Sequence, residues 1–249
     1  MKSNHSWLST LNPTIKLVTH LLVMCVLMAV TDPRITLAIW LVALVIGLTL
    51  GGWRIAYLLK RLLPYMIFFV MIFWMMAAFG KGEHTIWQWG WFHITEESLN
   101  NGLMIALRML GFVTYGLLFT STTDLTAMIM SLVHQCRLSP KWAYGLLAGF
   151  RFIPLFQTEL AQMKSAHKIR GYKQKNSWKS FIRYALPLFT QGIRKSERIA
   201  IAMEARGFTG TRQRTYYLTP QLAGRDLIYI FSLVIFIIIL QFYSYTLNN

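Results

Sequence analysis

The chain has 249 residues, of which 55% are hydrophobic and 14% are charged, and 25 basic against 9 acidic side chains give a formal net charge of +16. Because an ordinary soluble domain has about 25% charged residues, this composition argues against one. The many aromatic residues exclude disorder, and the two cysteines, Cys25 and Cys136, exclude a disulfide scaffold. The composition indicates a polytopic membrane protein with one basic face in water.

Five apolar runs approach or exceed the length of about 20 residues that a helix needs to cross a bilayer. These runs are 17–31, 35–53, 62–80, 98–123 and 227–249. A single charge, Arg108, interrupts the fourth run, where an unpaired cation would be costly. The sequence therefore predicts an all-α polytopic membrane protein with about five transmembrane helices, and with amphipathic coupling helices inserted before the last span.

Three domains follow from this pattern. We expect residues 1–123 to form a four-span transmembrane bundle, residues 124–225 to form a cytoplasmic or interfacial coupling segment, and residues 226–249 to form a C-terminal transmembrane helix. Basic residues in short connections favour the cytoplasmic side. The connection 51–61 holds three of them, whereas the connection 80–97 is acidic on balance. We therefore expect a cytoplasmic N-terminus and coupling segment, and a C-terminus outside the cell.

The connection 80–97 is also rich in tryptophan. Tryptophan is enriched where a membrane meets water. We therefore interpret three residues as an interfacial aromatic belt rather than as a strand: Trp87, Trp89 and Trp91.

The stretch 137–226 holds 17 of the 25 basic residues and 4 of the 9 acidic ones, and it is too long for a loop without structure of its own. It contains an internal repeat, in which Pro154 precedes an Arg-Gly pair at 170–171 and Pro187 precedes an Arg-Gly pair at 206–207. Proline suits the first turn of a helix and glycine suits the position just after its end. Each copy therefore predicts one helix that begins near its proline and ends at its arginine.

Both predicted helices are amphipathic. The apolar face of the first comprises Phe152, Phe156, Leu160 and Met163. The apolar face of the second comprises Phe189, Ile193, Ala200 and Met203, together with Gly192 and Ser196. Such faces suit the inner leaflet, another membrane protein, or the protein's own bundle.

An arginine at the end of a helix is favoured by the helix dipole. A glycine after it leaves the guanidinium projecting, where its planar donors suit a carboxylate of another chain. For one such end, a simple helix cap is the plainer interpretation. Two matching ends in one segment favour docking to a dimeric or pseudo-dimeric partner.

The Ala-Arg-Gly motif at 205–207, preceded by Ala-Met-Glu, resembles the signature of the transmembrane (T) component of energy-coupling factor transporters, the CbiQ/EcfT-type family. The Ile-Arg-Gly sequence at 169–171 resembles the looser first copy of that signature. It departs from the family pattern at Lys168 and Ile169, where small residues are usual. Only Arg170 and Gly171 are therefore carried over from the first copy.

The resemblance implies a non-catalytic subunit of an ATP-driven importer, multi-pass in the cell membrane. Its partners would be two cytoplasmic ABC ATPase subunits, one small membrane substrate-binding (S) component, and the lipid bilayer. The ATPases would dock on Ala205, Arg206, Gly207, Arg170 and Gly171, and the S component would contact the two apolar faces. The cargo would be a vitamin, a vitamin precursor such as the thiamine precursor hydroxymethylpyrimidine, or a transition-metal ion.

The sequence contains no G-x-x-x-x-G-K-[ST], H-E-x-x-H or C-x-x-C motif, and its six histidines show no metal-ligand spacing. We therefore expect no catalytic residue, no cofactor, no metal site and no binding of nucleic acid. Two alternatives stay open. A conventional ABC permease with its own substrate path would have one coupling helix per chain, and a lipid-modifying membrane enzyme would have an acidic or histidine cluster near the inner interface.

Overall fold

The computed structural model of the protein describes residues 6–248, apart from positions 81, 83, 90–91, 172–177 and 214. Across these residues the chain is helical, as predicted, apart from one short hairpin. The helices are α1 (Pro13–Ala29), α2 (Pro33–Thr49), α3 (Ile55–Phe79), α4 (Glu96–Thr122), α5 (Leu125–Gln135), α6 (Pro140–Ile169), α7 (Trp178–Ala205) and α8 (Gly224–Asn248). A 3-10 helix, Trp7–Thr10, precedes α1.

The chain forms two compact units. Unit 1 comprises residues 1–131 and 220–249, and unit 2 comprises residues 132–219. Unit 1 therefore holds α1 to α4 and α8, unit 2 holds α6 and α7, and the crossing between 131 and 132 falls within α5. The predicted domain boundaries rest on membrane topology rather than on compactness, and they stay predictions.

Several helices begin where the sequence offers a start signal. Asn12 caps α1 through its side chain, which accepts a hydrogen bond from the Thr14 N–H at 3.1 Å, and Pro13 occupies the first turn. Thr95 and Ser98 form a reciprocal capping box at the start of α4. These caps satisfy N–H groups that have no partner within the helix.

Two helices among the described residues, α3 and α4, are each long and apolar enough to cross a bilayer. The α1 and α2 helices are apolar as well, but with 17 residues each they are at the short limit for a span. The α8 helix has 25 residues and no charge from Leu227 onwards. The span assignments of α1, α2 and α8, and hence the count of five, stay predictions.

The α4 helix lies at the centre of unit 1, where it packs against α1, α2 and α3. Polar side chains join these helices. The Trp40 Nε1–H donates to Thr114 Oγ1 at 3.1 Å, and the Tyr115 hydroxyl donates to the Ile39 carbonyl at 3.3 Å. Between apolar helices such bonds contribute stability that hydrophobic burial alone does not provide.

The interpretation of the tryptophans as a belt without a strand is wrong. Trp87 and Trp89 lie in β1 (Thr85–Trp89), which pairs antiparallel with β2 (Phe92–Thr95), while Trp91 lies outside the described residues. The alternation of the tryptophans is the two-residue period of a strand. That period, with a partner strand only a few residues away, favours a hairpin, while the interfacial position of the tryptophans stays a prediction.

The prediction that the repeat helices begin at their prolines is also wrong. Pro154 lies inside α6, which begins at Pro140, and Pro187 lies inside α7, which begins at Trp178. Proline has the same φ in the first turn and in the interior of a helix, so its presence does not tell the two apart. The start signal of α6 is the earlier Ser139-Pro140 pair.

Candidate functional site: the helix ends of unit 2

The first candidate end closes α6. The helix stops at Ile169, Arg170 follows with φ −75° and ψ 6°, and Gly171 takes the left-handed conformation with φ +75°. The Gly171 N–H donates to the Lys168 carbonyl at 3.1 Å. A residue with a Cβ would lose about 1–2 kcal/mol in this conformation. Glycine at 171 is therefore required by the backbone, and the predicted helix end is confirmed.

The second candidate end closes α7 in the same way. Gly207 has φ +82°, its N–H donates to the Glu204 carbonyl at 2.9 Å, and the Phe208 N–H donates to the Met203 carbonyl at 2.9 Å. These two bonds form a Schellman motif, which satisfies carbonyls that the helix leaves without partners. The residue that would make the second bond at the first end, position 172, lies outside the described residues.

The arginines at both ends are accessible. Arg170 and Arg206 are exposed, and within the described residues of unit 2 neither side chain has a hydrogen-bond or ion-pair partner. Apart from the glycine itself and its two chain neighbours, no atom of the described residues lies within 4 Å of the position that a Cβ would take at Gly171 or Gly207. Each end therefore presents a free guanidinium above an open backbone turn, the geometry that suits a carboxylate from another chain.

The α6 and α7 helices pack together along their lengths. Phe156 contacts Gly192, Glu159 forms an ion pair with Lys195, and the rings of His167 and Tyr184 meet edge to face with centroids 5.3 Å apart. From the Phe156–Gly192 contact to the His167–Tyr184 contact, positions further along α6 meet earlier positions of α7. The two helices form an antiparallel hairpin.

The antiparallel packing separates the two arginine ends. Phe208, just after the end of α7, packs edge to face on Tyr144 near the start of α6, with ring centroids 5.3 Å apart. Gly210 lies against the side chain of Lys141 in the same region. Arg206 is therefore near the start of α6 and Arg170 is at its end. At 1.5 Å per helical residue, the two ends are about 35–40 Å apart.

The two predicted apolar faces differ in exposure. Phe152, Phe156, Leu160 and Met163 are half-buried, and this side of α6 is the one that meets α7. On α7, Phe189 is 75% exposed, Ile193 is 52% exposed and Ala200 is also exposed, whereas Met203 and Gly192 are half-buried. Of the two predicted faces, the one on α7 is therefore the more exposed.

Sequence reasoning missed two members of this exposed surface. Ile182 and Leu186 are 50% and 70% exposed, and they precede Phe189 and Ile193 at helical spacing. They were left out because the helix was expected to begin at Pro187. We call Ile182, Leu186, Phe189, Ile193 and Ala200 the α7 stripe.

Arg108, which has no place in the candidate site, has a structural partner in unit 1. Its Nη2–H donates to the Val30 carbonyl at 2.7 Å, at the end of α1, and its Met104 neighbour lies one turn earlier on α4. A cation at this position satisfies a carbonyl that the helix leaves unpaired and complements the dipole. This contact explains how an arginine is accommodated ten residues into an apolar run.

No group of three or more histidine, cysteine, aspartate or glutamate residues is placed to hold a metal ion within the part of the chain that the structure describes. The two cysteines, Cys25 and Cys136, are exposed and not joined to each other. The surface features that stand out on unit 2 are its exposed arginines and the α7 stripe.

These features define a helical membrane protein with a basic helical hairpin in unit 2. Residues 4–217 match the family model described as CbiQ, cobalt transport protein. The match covers most of the chain, and the protein therefore belongs to this family of membrane transport proteins. The role of the family is transport, not catalysis.

Curated relatives resemble nearly the whole chain. The energy-coupling factor transporter transmembrane protein EcfT of Lacticaseibacillus paracasei is 27% identical over 235 residues, covering 89% of this chain and 88% of the relative. The protein of the same name from Streptococcus thermophilus is 29% identical, covering 85% and 84%. That of Brevibacillus brevis is 28% identical, covering 94% and 93%.

Proposed function

We propose that the protein is the transmembrane T component of an energy-coupling factor importer. It takes the motion that ATP produces in two cytoplasmic ABC ATPase subunits and passes it to a separate membrane-embedded S component. Membership of the transport family and the shared name of the relatives support this role. The cargo class is a vitamin, a vitamin precursor such as hydroxymethylpyrimidine, or a transition-metal ion.

The observation that carries the proposal is the pair of matching arginine ends on one hairpin. Each ends in a left-handed glycine, each exposes its guanidinium, and about 35–40 Å separates them. That distance is too great for one small socket to hold both, so each end suits a separate ATPase subunit. Arg206 with Ala205 and Gly207 docks one subunit, and Arg170 with Gly171 docks the other.

The S component lies on the apolar surface of the hairpin. The α7 stripe supports this assignment, because a row of large exposed apolar side chains is unfavourable in water and suits a hydrophobic partner. Phe152, Phe156, Leu160 and Met163 contribute less to this contact, since they are half-buried against α7. In this arrangement the N-terminus and unit 2 face the cytoplasm and the C-terminus lies outside.

The test is purification of the tagged chain from its own cells in mild detergent. We expect two ABC ATPase chains and one further small hydrophobic protein for each copy of this chain. A sample in which the chain is recovered alone and itself binds the cargo would contradict the proposal. That outcome would favour a conventional permease with its own substrate path.

A further inference from the structure

The chain passes between its two units at two places. The forward connection lies directly after Ser131, inside α5, and the return connection lies directly before Pro220. A helix continues through the forward connection, whereas the residues that lead to the return connection are not in a helix. These two places are the covalent links through which movement of unit 2 can reach unit 1.

One buried residue of unit 1 is bonded to both connections. The Asn12 Oδ1 accepts a hydrogen bond from the Ser131 hydroxyl at 2.7 Å, beside the forward connection. The Asn12 Nδ2–H₂ donates to the carbonyls of Pro220 and Gln221, each at 3.4 Å, beside the return connection. A single side-chain amide therefore bonds residues that lie 119 and more than 200 positions further along the chain.

Further hydrogen bonds involve the backbone of Asn12 and the residues around it. Its backbone N–H donates to Asp226 Oδ1 at 2.8 Å, while Asp226 Oδ2 accepts the Ala223 N–H at 2.8 Å at the start of α8. Thr14 in the first turn of α1 bonds the Ser131 hydroxyl at 2.6 Å. The cluster therefore joins the starts of α1 and α8 to the middle of α5.

Several residues of the cluster are buried, so the loss of a hydrogen bond between them is costly. Asn12 is 3% exposed, Asp226 is 2% exposed and Ser131 is fully enclosed. A buried polar group that loses its partner is strongly disfavoured, because water cannot replace the lost bond. Capping of α1 requires only the bond from Asn12 Oδ1 to the Thr14 N–H. The bonds to Ser131, Pro220 and Gln221 go beyond that role.

We propose that Asn12 is a positioning residue that holds the forward and return connections together, so that movement of unit 2 reaches α1, α5 and α8 as one displacement. This inference rests on the proposed function for the source of the movement. The joint itself does not depend on that function and can be tested without ATPases. We call the cluster of Asn12, Thr14, Ser131, Asp226 and the 220–221 carbonyls the Asn12 joint.

The first test measures amide hydrogen exchange in the purified full-length chain. We expect Asn12→Ala to speed exchange by roughly tenfold at both connections, near 131–135 and near 221–226, because each loses a hydrogen bond to the Asn12 side chain. Ser131→Ala should speed exchange at the forward connection alone. The control Asn101→Ala removes the same side chain from an exposed position of α4 and should change neither.

A helix cap without any joining role predicts a different pattern. Asn12→Ala would then affect only the first turn of α1, and this result would overturn the proposal. Should Asn12→Ala fail to fold, Ser131→Ala still decides the matter. Unchanged exchange near 131–135 in that variant would contradict the joint, as would equal acceleration at both connections.

The second test measures transmission in the complex with its ATPases in lipid nanodiscs. Spin labels replace Met28 on α1 and Ile169 at the end of α6, both exposed, in a chain with Cys25→Ser and Cys136→Ser. We expect one narrow distance distribution that shifts when ATP and vanadate are added. With Asn12→Ala the distribution should broaden several-fold and lose its response to nucleotide.

A narrow, nucleotide-responsive distribution in Asn12→Ala would overturn the transmission role. If no ATPase is recovered with the unsubstituted chain, the proposed function fails instead, and the hydrogen-exchange pattern still decides whether the joint exists. The two failures are therefore distinguishable.

Discussion

Phe156 of α6 packs directly against Gly192 of α7, where a Cβ would lie 3.1 Å from the Cζ atom of the ring. Contacts this short are tighter than most Cβ contacts, so a side chain at 192 would require the Phe156 ring to shift by a few tenths of an ångström. The exposed fractions of both predicted faces follow from this contact, because it turns one face of α6 inward and leaves the α7 stripe outside.

We predict that Gly192→Leu lowers the free energy of unfolding of the chain by about 1–3 kcal/mol, because the larger side chain overpacks the contact. The same substitution in a Phe156→Ala background should cost less, since the leucine then occupies the space that the ring leaves. Thermal unfolding of the four chains of this double-mutant cycle measures the coupling.

Gly149→Leu is the matched control, because among the described residues nothing outside the adjacent backbone of α6 lies within 4 Å of its Cβ position. It should have little effect on unfolding and no coupling to Phe156→Ala. Additive effects of Gly192→Leu and Phe156→Ala would show that the two residues are not in contact.

We predict that Arg206→Glu lowers the recovery of ATPase subunits with the tagged chain several-fold, while the chain still inserts in the membrane. In the proposed complex, reversal of the charge replaces attraction to an acidic group of the ATPase with repulsion, and among the described residues the exposed side chain has no partner to lose. The double variant Arg170→Glu with Arg206→Glu should abolish both recovery and uptake.

Arg198→Glu is the control for this charge reversal, since Arg198 is an exposed arginine of the same helix away from its end. It should leave recovery of the ATPases unchanged. Normal uptake in the double variant would show that these arginines do not dock the ATPases.

We predict that Gly207→Ala destabilises the end of α7 by about 1–2 kcal/mol, because alanine is strained at φ +82°. Gly207→Asn should cost less, since asparagine adopts the left-handed conformation more readily than other residues with a Cβ. Gly145→Ala, inside α6 with open space around it, should instead be neutral or stabilising by up to about 1 kcal/mol. Equal melting temperatures for the two alanine variants would contradict the left-handed cap.

We predict that Phe189→Ser leaves the stability of the chain unchanged and removes the small hydrophobic partner from the purified complex. Phe189 is 75% exposed, so its loss creates no cavity, but it takes the largest apolar surface from the α7 stripe. Quantitative mass spectrometry of the purified complex measures the partner. Tyr217→Ser, which removes a fully exposed aromatic outside the stripe, should have no effect on it.

The helix ends of unit 2 could be predicted from sequence because they depend on neighbouring residues alone. An arginine followed by a glycine is a local cap signal, and the left-handed φ of Gly171 and Gly207 is its direct structural consequence. The starts of α6 and α7 could not be predicted from neighbouring residues in the same way. Pro154 and Pro187 fit both a first turn and an interior, and residues far upstream decide which one occurs.

Features that depend on distant residues were beyond the sequence pattern. Whether Phe156 or Phe189 is exposed depends on how α6 meets α7, since both residues lie on apolar faces of similar composition. The asparagine-proline pair at 12–13 signals the start of α1. The bonds from Asn12 to Ser131 and Pro220 join residues that are far apart in the chain, and no repeating sequence pattern indicates that they meet.

The interior prolines give each long helix of unit 2 a defined place to bend. Without an N–H, Pro154 and Pro187 leave the carbonyl four residues earlier without its usual helical bond, so flexing there disturbs fewer contacts than elsewhere. About 24 Å of α6 and about 28 Å of α7 extend beyond these points to the two arginines. A force on the end of either helix would therefore bend that helix first at its proline.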